Sequence, residues 1–126
     1  MIFNSINSEL VIRYIEETYG TEPEFLWAKY PDDAVFRHSN NKKWFAAMLK
    51  VEGNKLGLSS SEKIEILDVK CEPMLIDGLT GSSGYLPGYH MNKKYWLTVL
   101  LDGTVPISDI YGLIDMSYKL TSKKMK

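Results

Sequence analysis

Apolar residues recur at helical spacing near the start of the chain. Ile6, Leu10 and Tyr14 repeat every four residues, interleaved with Val11, Ile15 and Tyr19, and Gly20 follows as a left-handed stop. The pattern predicts a helix over Ser5 to Tyr19. Its outer face carries Glu9, Arg13 and Glu17 one turn apart, a solvated ladder of alternating charge. After Thr21-Glu22-Pro23 the pattern shortens to strand-like runs, Phe25-Leu26-Trp27 and Ala34-Val35-Phe36-Arg37, separated by the turn-forming Tyr30-Pro31-Asp32-Asp33. Ser39-Asn40-Asn41-Lys42 reads as a hairpin tip, with asparagine supplying the positive φ, and Lys43 to Val51 returns as the partner strand.

Glu52-Gly53-Asn54-Lys55 marks a further turn and Leu56-Gly57-Leu58 the start of another strand; Ile64 to Val69 is a strand ending near Cys71. Pro73 opens a short helix through Leu79, at a position where its missing N–H costs little. Tyr95 to Leu101 is a strand, Asp102-Gly103 a turn, and Ile107, Ile110, Tyr111, Ile114 and Tyr118 form one stripe of a final amphipathic helix. The order α-β-β-β-β-α-β-α, joined mostly by hairpins, predicts an α+β, two-layer fold: an antiparallel β-sheet with helices packed on one face.

A chain of 126 residues fits one domain, 1–126, and buries roughly two-thirds of its unfolded surface without staples. No apolar run reaches the length of a membrane span, the N-terminus lacks the pattern of a secretory signal, and the single Cys71 cannot pair internally, so a cytoplasmic location is expected. The net charge of −1 argues against a generally basic nucleic-acid binder, yet residues 1–24 sum to −4 and the rest to +3. That excess lies in Arg37, Lys42 and Lys43, in Lys93 and Lys94, and in the lysines of the C-terminal tail. A positive face is compatible with a neutral total.

The densest chemistry is Gly88-Tyr89-His90-Met91-Asn92-Lys93-Lys94-Tyr95-Trp96, polar and aromatic residues at the mouth of an apolar strand. Together with Val69-Lys70-Cys71-Glu72-Pro73 before it, Leu101-Asp102-Gly103-Thr104-Val105-Pro106 after it, and the earlier Asp33-Ala34-Val35-Phe36-Arg37 and Lys43-Trp44-Phe45-Ala46, this segment resembles the MmcQ/YjbR family. The resemblance covers nearly the whole chain and is most specific over residues 84–106. It implies a CyaY/frataxin-like fold and a double-wing mode of DNA binding, with no reaction attached. The chain departs from the family pattern at Tyr95, where histidine is common, and at Leu97, where asparagine is common.

Read as wings, the two hairpin regions offer Arg37, Lys42, Lys43, His90, Lys93 and Lys94 to a nucleic-acid backbone, for weak and non-specific binding to DNA. Tyr89 and Tyr95 would supply stacking surface, whereas Trp96 heads an apolar strand and belongs with the core. Charged hairpin tips also serve solubility and blunt edge pairing, which accounts for Lys42 and Lys43 without a ligand. The alternative is a protein-interaction or small-ligand-binding module in which the Tyr89–Trp96 surface and the first hairpin form an aromatic-lined groove. An enzyme is not expected: there is no phosphate loop, no nucleophile motif and no metal-ligand spacing, and Cys71 with His38 or His90 would need an adjacency that sequence does not display. No cofactor and no metal are expected. Iron binding, which the frataxin-like fold implies, would fall to Glu9, Glu16 and Glu17, a poor cage on an open helix face.

Overall fold

The computed structural model describes residues 5–122. Helix α1 spans Ile6–Tyr19. The Ser5 side chain caps it by accepting the Ser8 amide at 3.0 Å, and Gly20 closes it at φ 64 while donating its N–H to the Glu16 carbonyl. Strands β1 (Ala34–Arg37) and β2 (Trp44–Glu52) form the first hairpin, and a 3-10 turn (Gly53–Leu56) leads toward β3 (Lys63–Lys70). A short helix α2 (Pro73–Leu79), strands β4 (Tyr85–Pro87) and β5 (Trp96–Leu100), and helix α3 (Ile107–Thr121) complete the chain. The five strands lie in the order β1-β2-β3-β5-β4, and every pair is antiparallel.

One face of this sheet holds the main core. Phe36, Phe45, Met48, Leu67, Val69, Leu97 and Val99 pack against Val11 and Ile15 of α1 and Ile110 and Ile114 of α3, all fully buried. Each such side chain contributes about 1.5–3 kcal/mol by leaving water. The two long helices are tied by stacked rings: Tyr14 lies 4.1 Å from Tyr111, and Tyr19 lies 3.8 Å from Tyr118. The Asp115 carboxylate accepts both hydroxyls of α1, Tyr14 at 2.8 Å and Tyr19 at 2.5 Å. Burial, reinforced by the neighbouring carboxylate, raises the pKa of both phenols, so the pair stays protonated and keeps donating.

The first hairpin contains a β-bulge. Phe36 pairs with Ala46 and Arg37 with Trp44, which leaves Phe45 without a partner in β1. Ser117 of α3 meets the backbone there: its hydroxyl donates to the Phe45 carbonyl at 2.6 Å and accepts the Lys70 amide at 2.8 Å. The bulge also breaks strict alternation, so Phe45, Ala46 and Met48 all belong to the helix-side core whereas Trp44 lines the opposite face. Among the described residues that opposite face carries no α-helix. Its apolar residues Leu49, Val51, Ile66 and Leu100 are covered instead by Leu56, Leu58, Ile64, Leu86 and Tyr89 from loops and strand ends.

Three local expectations need correction, and one strand comes in addition to those expected. Phe25-Leu26-Trp27 is not a strand; among the described residues the one backbone bridge at this segment precedes it, from Glu24 to Val35, and Trp27 meets β2 through its ring alone. Pro23 and the following turn residues limit pairing to that single point. Leu56-Gly57-Leu58 does not start a strand, because the 3-10 turn ends at Gly57 in the left-handed region, φ 83. At the hairpin tip the positive φ falls on Lys42, at 63°, since Asn41 spends its side chain on Thr121 and on the Lys43 amide. Finally, Tyr85–Pro87 is an edge strand, too short and too proline-bound to give an alternating signal.

Replacing Ser117 by alanine removes two hydrogen bonds from buried backbone groups and should cost about 1–3 kcal/mol in urea unfolding, with an unchanged m-value. A loss below about 0.5 kcal/mol, the size of an ordinary surface change, would contradict this bridging role.

Candidate functional site

The antiparallel order sends both hairpin regions to one end of the sheet. β1 ends there at Arg37, β2 begins at Trp44, β3 ends at Lys70, β4 ends at Pro87 and β5 begins at Trp96, as the pairs Arg37 with Trp44, Lys70 with Trp96 and Pro87 with Leu97 record. At the first hairpin, His38 donates its amide to the Lys43 carbonyl, and Asn41 donates its side-chain amide to the Thr121 carbonyl at 2.9 Å, pinning the tip to the end of α3. Lys42 and Lys43 are exposed. Arg37 is not free: its guanidinium grips the Glu24 carboxylate through Nε and Nη2 at 2.7–3.1 Å. His38 is buried, with its Nε2 2.8 Å from the Thr121 hydroxyl and its ring against Tyr118 and Phe45. Burial lowers its pKa, consistent with a neutral, structural imidazole.

The second loop, between β4 and β5, turns tightly. A Cβ on Gly88 would stand 2.7 Å from the Trp96 Cβ and 2.8 Å from its carbonyl oxygen, so only glycine permits this approach. The Asn92 carbonyl accepts the Tyr95 and Trp96 amides, and its side chain accepts the Lys94 amide at 2.9 Å. Lys93 folds back, its Nζ donating to the Gly88 carbonyl at 3.0 Å. Lys94 remains exposed with its ammonium 5.5 Å from the Tyr95 ring centre. Lys70, absent from the sequence candidates, puts its ammonium 5.6 Å from both the Tyr95 and Trp96 rings. Trp96 is half-buried rather than core, because its ring lies at this cationic end while Leu97 and the rest of the strand go inside.

The predicted site residues therefore divide. Lys42, Lys43 and Lys94 are displayed at one end of the sheet, beside the half-buried Lys70 and the 39 % exposed Tyr95. Arg37 and Lys93 are committed to partners within the chain. His90, exposed at φ 61, faces elsewhere: it lines a groove on the helix-free side of the sheet. Lys70 lies within the landmark Val69-Lys70-Cys71-Glu72-Pro73, but its cross-strand pairing with Trp96 is what places it at this end.

That groove has a volume of about 650 Å³ and is walled by Trp27, Tyr30, Trp44, Tyr89, His90 and Met91. Trp27 and Trp44 meet edge to face, 5.8 Å apart at 86°. Its acids are Asp33 and Glu52, and its lysines, apart from Lys50, are Lys55 and Lys63. Glu52 and Lys55 approach to 3.8 Å, while Asp33 is partly buried, its pKa raised by desolvation, and accepts the Lys50 amide at 3.1 Å. Lys50 itself reaches Glu65 at 3.7 Å. The groove is thus close to neutral and dominated by rings. Sequence reasoning expected an aromatic groove between the second loop and the first hairpin. Its tryptophan wall comes instead from the bulge at Trp44 and from the irregular segment bearing Trp27 and Tyr30, whose approach no short-range pattern announces.

Beneath the second loop a buried polar pair joins β3 to β5. Thr98 accepts the Tyr89 amide at 2.7 Å and donates its hydroxyl to Asp68 Oδ1; Asp68 Oδ2 has no hydrogen-bond partner among the described residues. Burial pushes the Asp68 carboxyl up to about 7, against the opposing pull of the Thr98 hydrogen bond and the Lys93 charge. Cys71 is also buried, its thiol pushed up by burial, and no hydrogen bond links it to His38 or His90 among the described residues. Among the described residues no cluster of three or more histidine, cysteine or acidic side chains is arranged to hold a metal ion, and no helix is long and apolar enough to cross a membrane.

The Asp68 shift carries a pH dependence. Between its ordinary carboxyl range and about 7, the unfolded chain has released this proton and the folded chain retains it, so this group makes stability fall as pH rises through that window and level off above it. In Asp68→Asn, a neutral side chain that cannot ionise, urea unfolding at a series of pH values should lack this decline. Parallel curves for the two proteins from pH 4 to pH 8 would refute the raised carboxyl.

Comparisons with known proteins fit this architecture. Residues 16–120 match the family model named YjbR. The chain is 41% identical over 116 residues to the uncharacterised protein YyaQ of Bacillus subtilis (strain 168), covering 92% of this chain and 98% of that one. It is 36% identical over 83 residues to the uncharacterised protein YjbR of Escherichia coli (strain K12), covering 64% and 70% of the two chains. A crystal structure of a Pseudomonas syringae protein superposes with a TM-score of 0.90 at 39% identity, over 93% of this chain and 100% of that chain. A Deinococcus radiodurans protein superposes with a TM-score of 0.69 at 26% identity, over 93% and 79%. The matched span runs from within α1 almost to the end of α3 and includes both hairpin loops and every strand, and on that ground the chain belongs to the YjbR family.

Proposed function

We propose that this chain is a non-catalytic, cytoplasmic binding protein that holds a DNA backbone, weakly and without sequence preference, at the end of the sheet where both hairpins turn. The observation that supports this reading most is the gathering of Lys42, Lys43, Lys70 and Lys94 at that one end by the order β1-β2-β3-β5-β4, around the exposed Tyr95. Lysines on short loops present point charges to phosphates, and each phosphate neutralised releases counterions, so affinity rests on salt rather than on sequence. Glu24, an acid near the first hairpin, is already held by Arg37. The working set is therefore smaller than the six residues expected from sequence, with Arg37 and Lys93 acting as braces for the loops and Lys70 added.

A binding role accords better with this chemistry than a catalytic one, since Cys71 is buried with a raised thiol pKa and His38 is enclosed. A single buried cysteine also suits a reducing compartment. The second reading, a protein-interaction or small-ligand module, is favoured by the neutral aromatic groove on the open face.

Fluorescence anisotropy with labelled duplex and single-stranded oligonucleotides at low salt tests the first reading. Four phosphate contacts predict a slope of log affinity against log salt of about −3 to −4. The triple variant Lys42→Glu, Lys43→Glu, Lys94→Glu should lose roughly tenfold or more in affinity and flatten that slope. Binding indifferent to these charge reversals, or no binding with tens of micromolar protein, would sink it.

A further inference from the structure

Resting on the nucleic-acid reading above, we infer that the strand this protein takes is unpaired, with its phosphates on the cationic end of the sheet and its bases in the aromatic groove of the helix-free face. The two surfaces share their boundaries. Trp44, one wall of the groove, follows directly after the exposed Lys43. Tyr89, His90 and Met91, the opposite wall, belong to the same loop as Lys93 and Lys94. A chain bound at the cationic end meets the groove at Trp44 on one side and at Tyr89 to Met91 on the other.

The chemistry of the groove selects what enters it. Lys55 and Lys63 are balanced by Asp33 and Glu52, so it offers little to a phosphate, but Trp27, Trp44, Tyr30 and Tyr89 offer rings to a flat, uncharged heterocycle. Bases within a duplex keep their faces stacked on one another and show only their edges, so they cannot occupy such a site; unpaired bases can. An antiparallel sheet with one aromatic, uncovered face is a general platform for stacking single-stranded bases. The elements a duplex would need for reading a major groove lie on the wrong side: both long helices cover the other face, and α1 exposes Glu9, Glu16 and Glu17. Their charge repels a phosphate backbone.

Three labelled probes of equal length separate the possibilities: an oligothymidylate, an abasic strand that keeps the phosphates but lacks bases, and a duplex. The oligothymidylate should bind roughly fivefold or more tightly than either of the others, the range that stacking one base supplies, and should quench tryptophan emission where the abasic strand does not. Trp44→Leu and Tyr30→Ala should erase that preference while leaving affinity for the abasic strand unchanged. Tyr30 is 56 % exposed and its removal spares the core, so the Tyr30→Ala result stands even if Trp44→Leu impairs folding. Abasic or duplex probes bound as tightly as oligothymidylate would overturn the inference and leave the proposed function standing. Failure of all three probes to bind would overturn both.

Discussion

Among the described residues α-helices cover one side of the five-stranded sheet and leave the other to loops, and most of the molecule answers to that constraint. The covered side holds the large core built from Phe36, Phe45, Met48, Leu67, Val69, Leu97 and Val99 under α1 and α3. The uncovered side must still shelter Leu49, Val51, Ile66 and Leu100, and it does so with loop residues and strand ends rather than a further layer. Loops that double as a roof cannot wander. Tyr89 anchors the second loop over the small cluster, and its backbone amide is fastened to Thr98 and through it to Asp68. The segment that carries recognition chemistry is thus held by the needs of the open face.

The same constraint separates cation from aromatic. Strand ends turn into solvent, so the exposed Lys42, Lys43 and Lys94 collect where the hairpins reverse, with the half-buried Lys70 against the Tyr95 and Trp96 rings between them. The sheet face is half-sheltered and favours rings, so Trp27, Trp44, Tyr30 and Tyr89 collect there. Two adjoining surfaces of different character arise from one architectural choice. Bracing runs between them: Arg37 spends its charge on Glu24, and Lys93 on the Gly88 carbonyl, each stabilising the loop from which a free lysine projects.

Much of the frame was legible in the residues. Ser5 and Gly20 delimit α1 because capping chemistry is local, and the stripe from Ile107 to Tyr118 marks α3 because its apolar residues share one face. The motif from Gly88 to Trp96 pointed to the right loop, and Gly88 and Asn92 proved to be its shapers. What was not legible depended on partners distant in sequence. Phe25-Leu26-Trp27 has the composition of a strand, yet among the described residues backbone pairing with β1 stops at the Glu24–Val35 bridge just before it. Tyr85–Pro87 has too few residues to alternate and becomes a strand only because β5 pairs with it.

By itself the sequence determined the helices, the hairpin-linked antiparallel sheet and the family landmarks, since these follow from periodicity, capping and turn chemistry within a few residues. Tertiary structure alone decided which charges remain free and which way Trp44 points. Arg37 and Lys43 look alike as cations, but Glu24 neutralises the first, whereas the second is exposed with no ion pair among the described residues. Strict alternation would place Trp44 with Ala46 and Met48 in the core; the bulge at Phe45, held by Ser117 from α3, turns it to the open face and into the groove. Both outcomes depend on contacts between residues far apart along the chain, whose energies no local pattern contains.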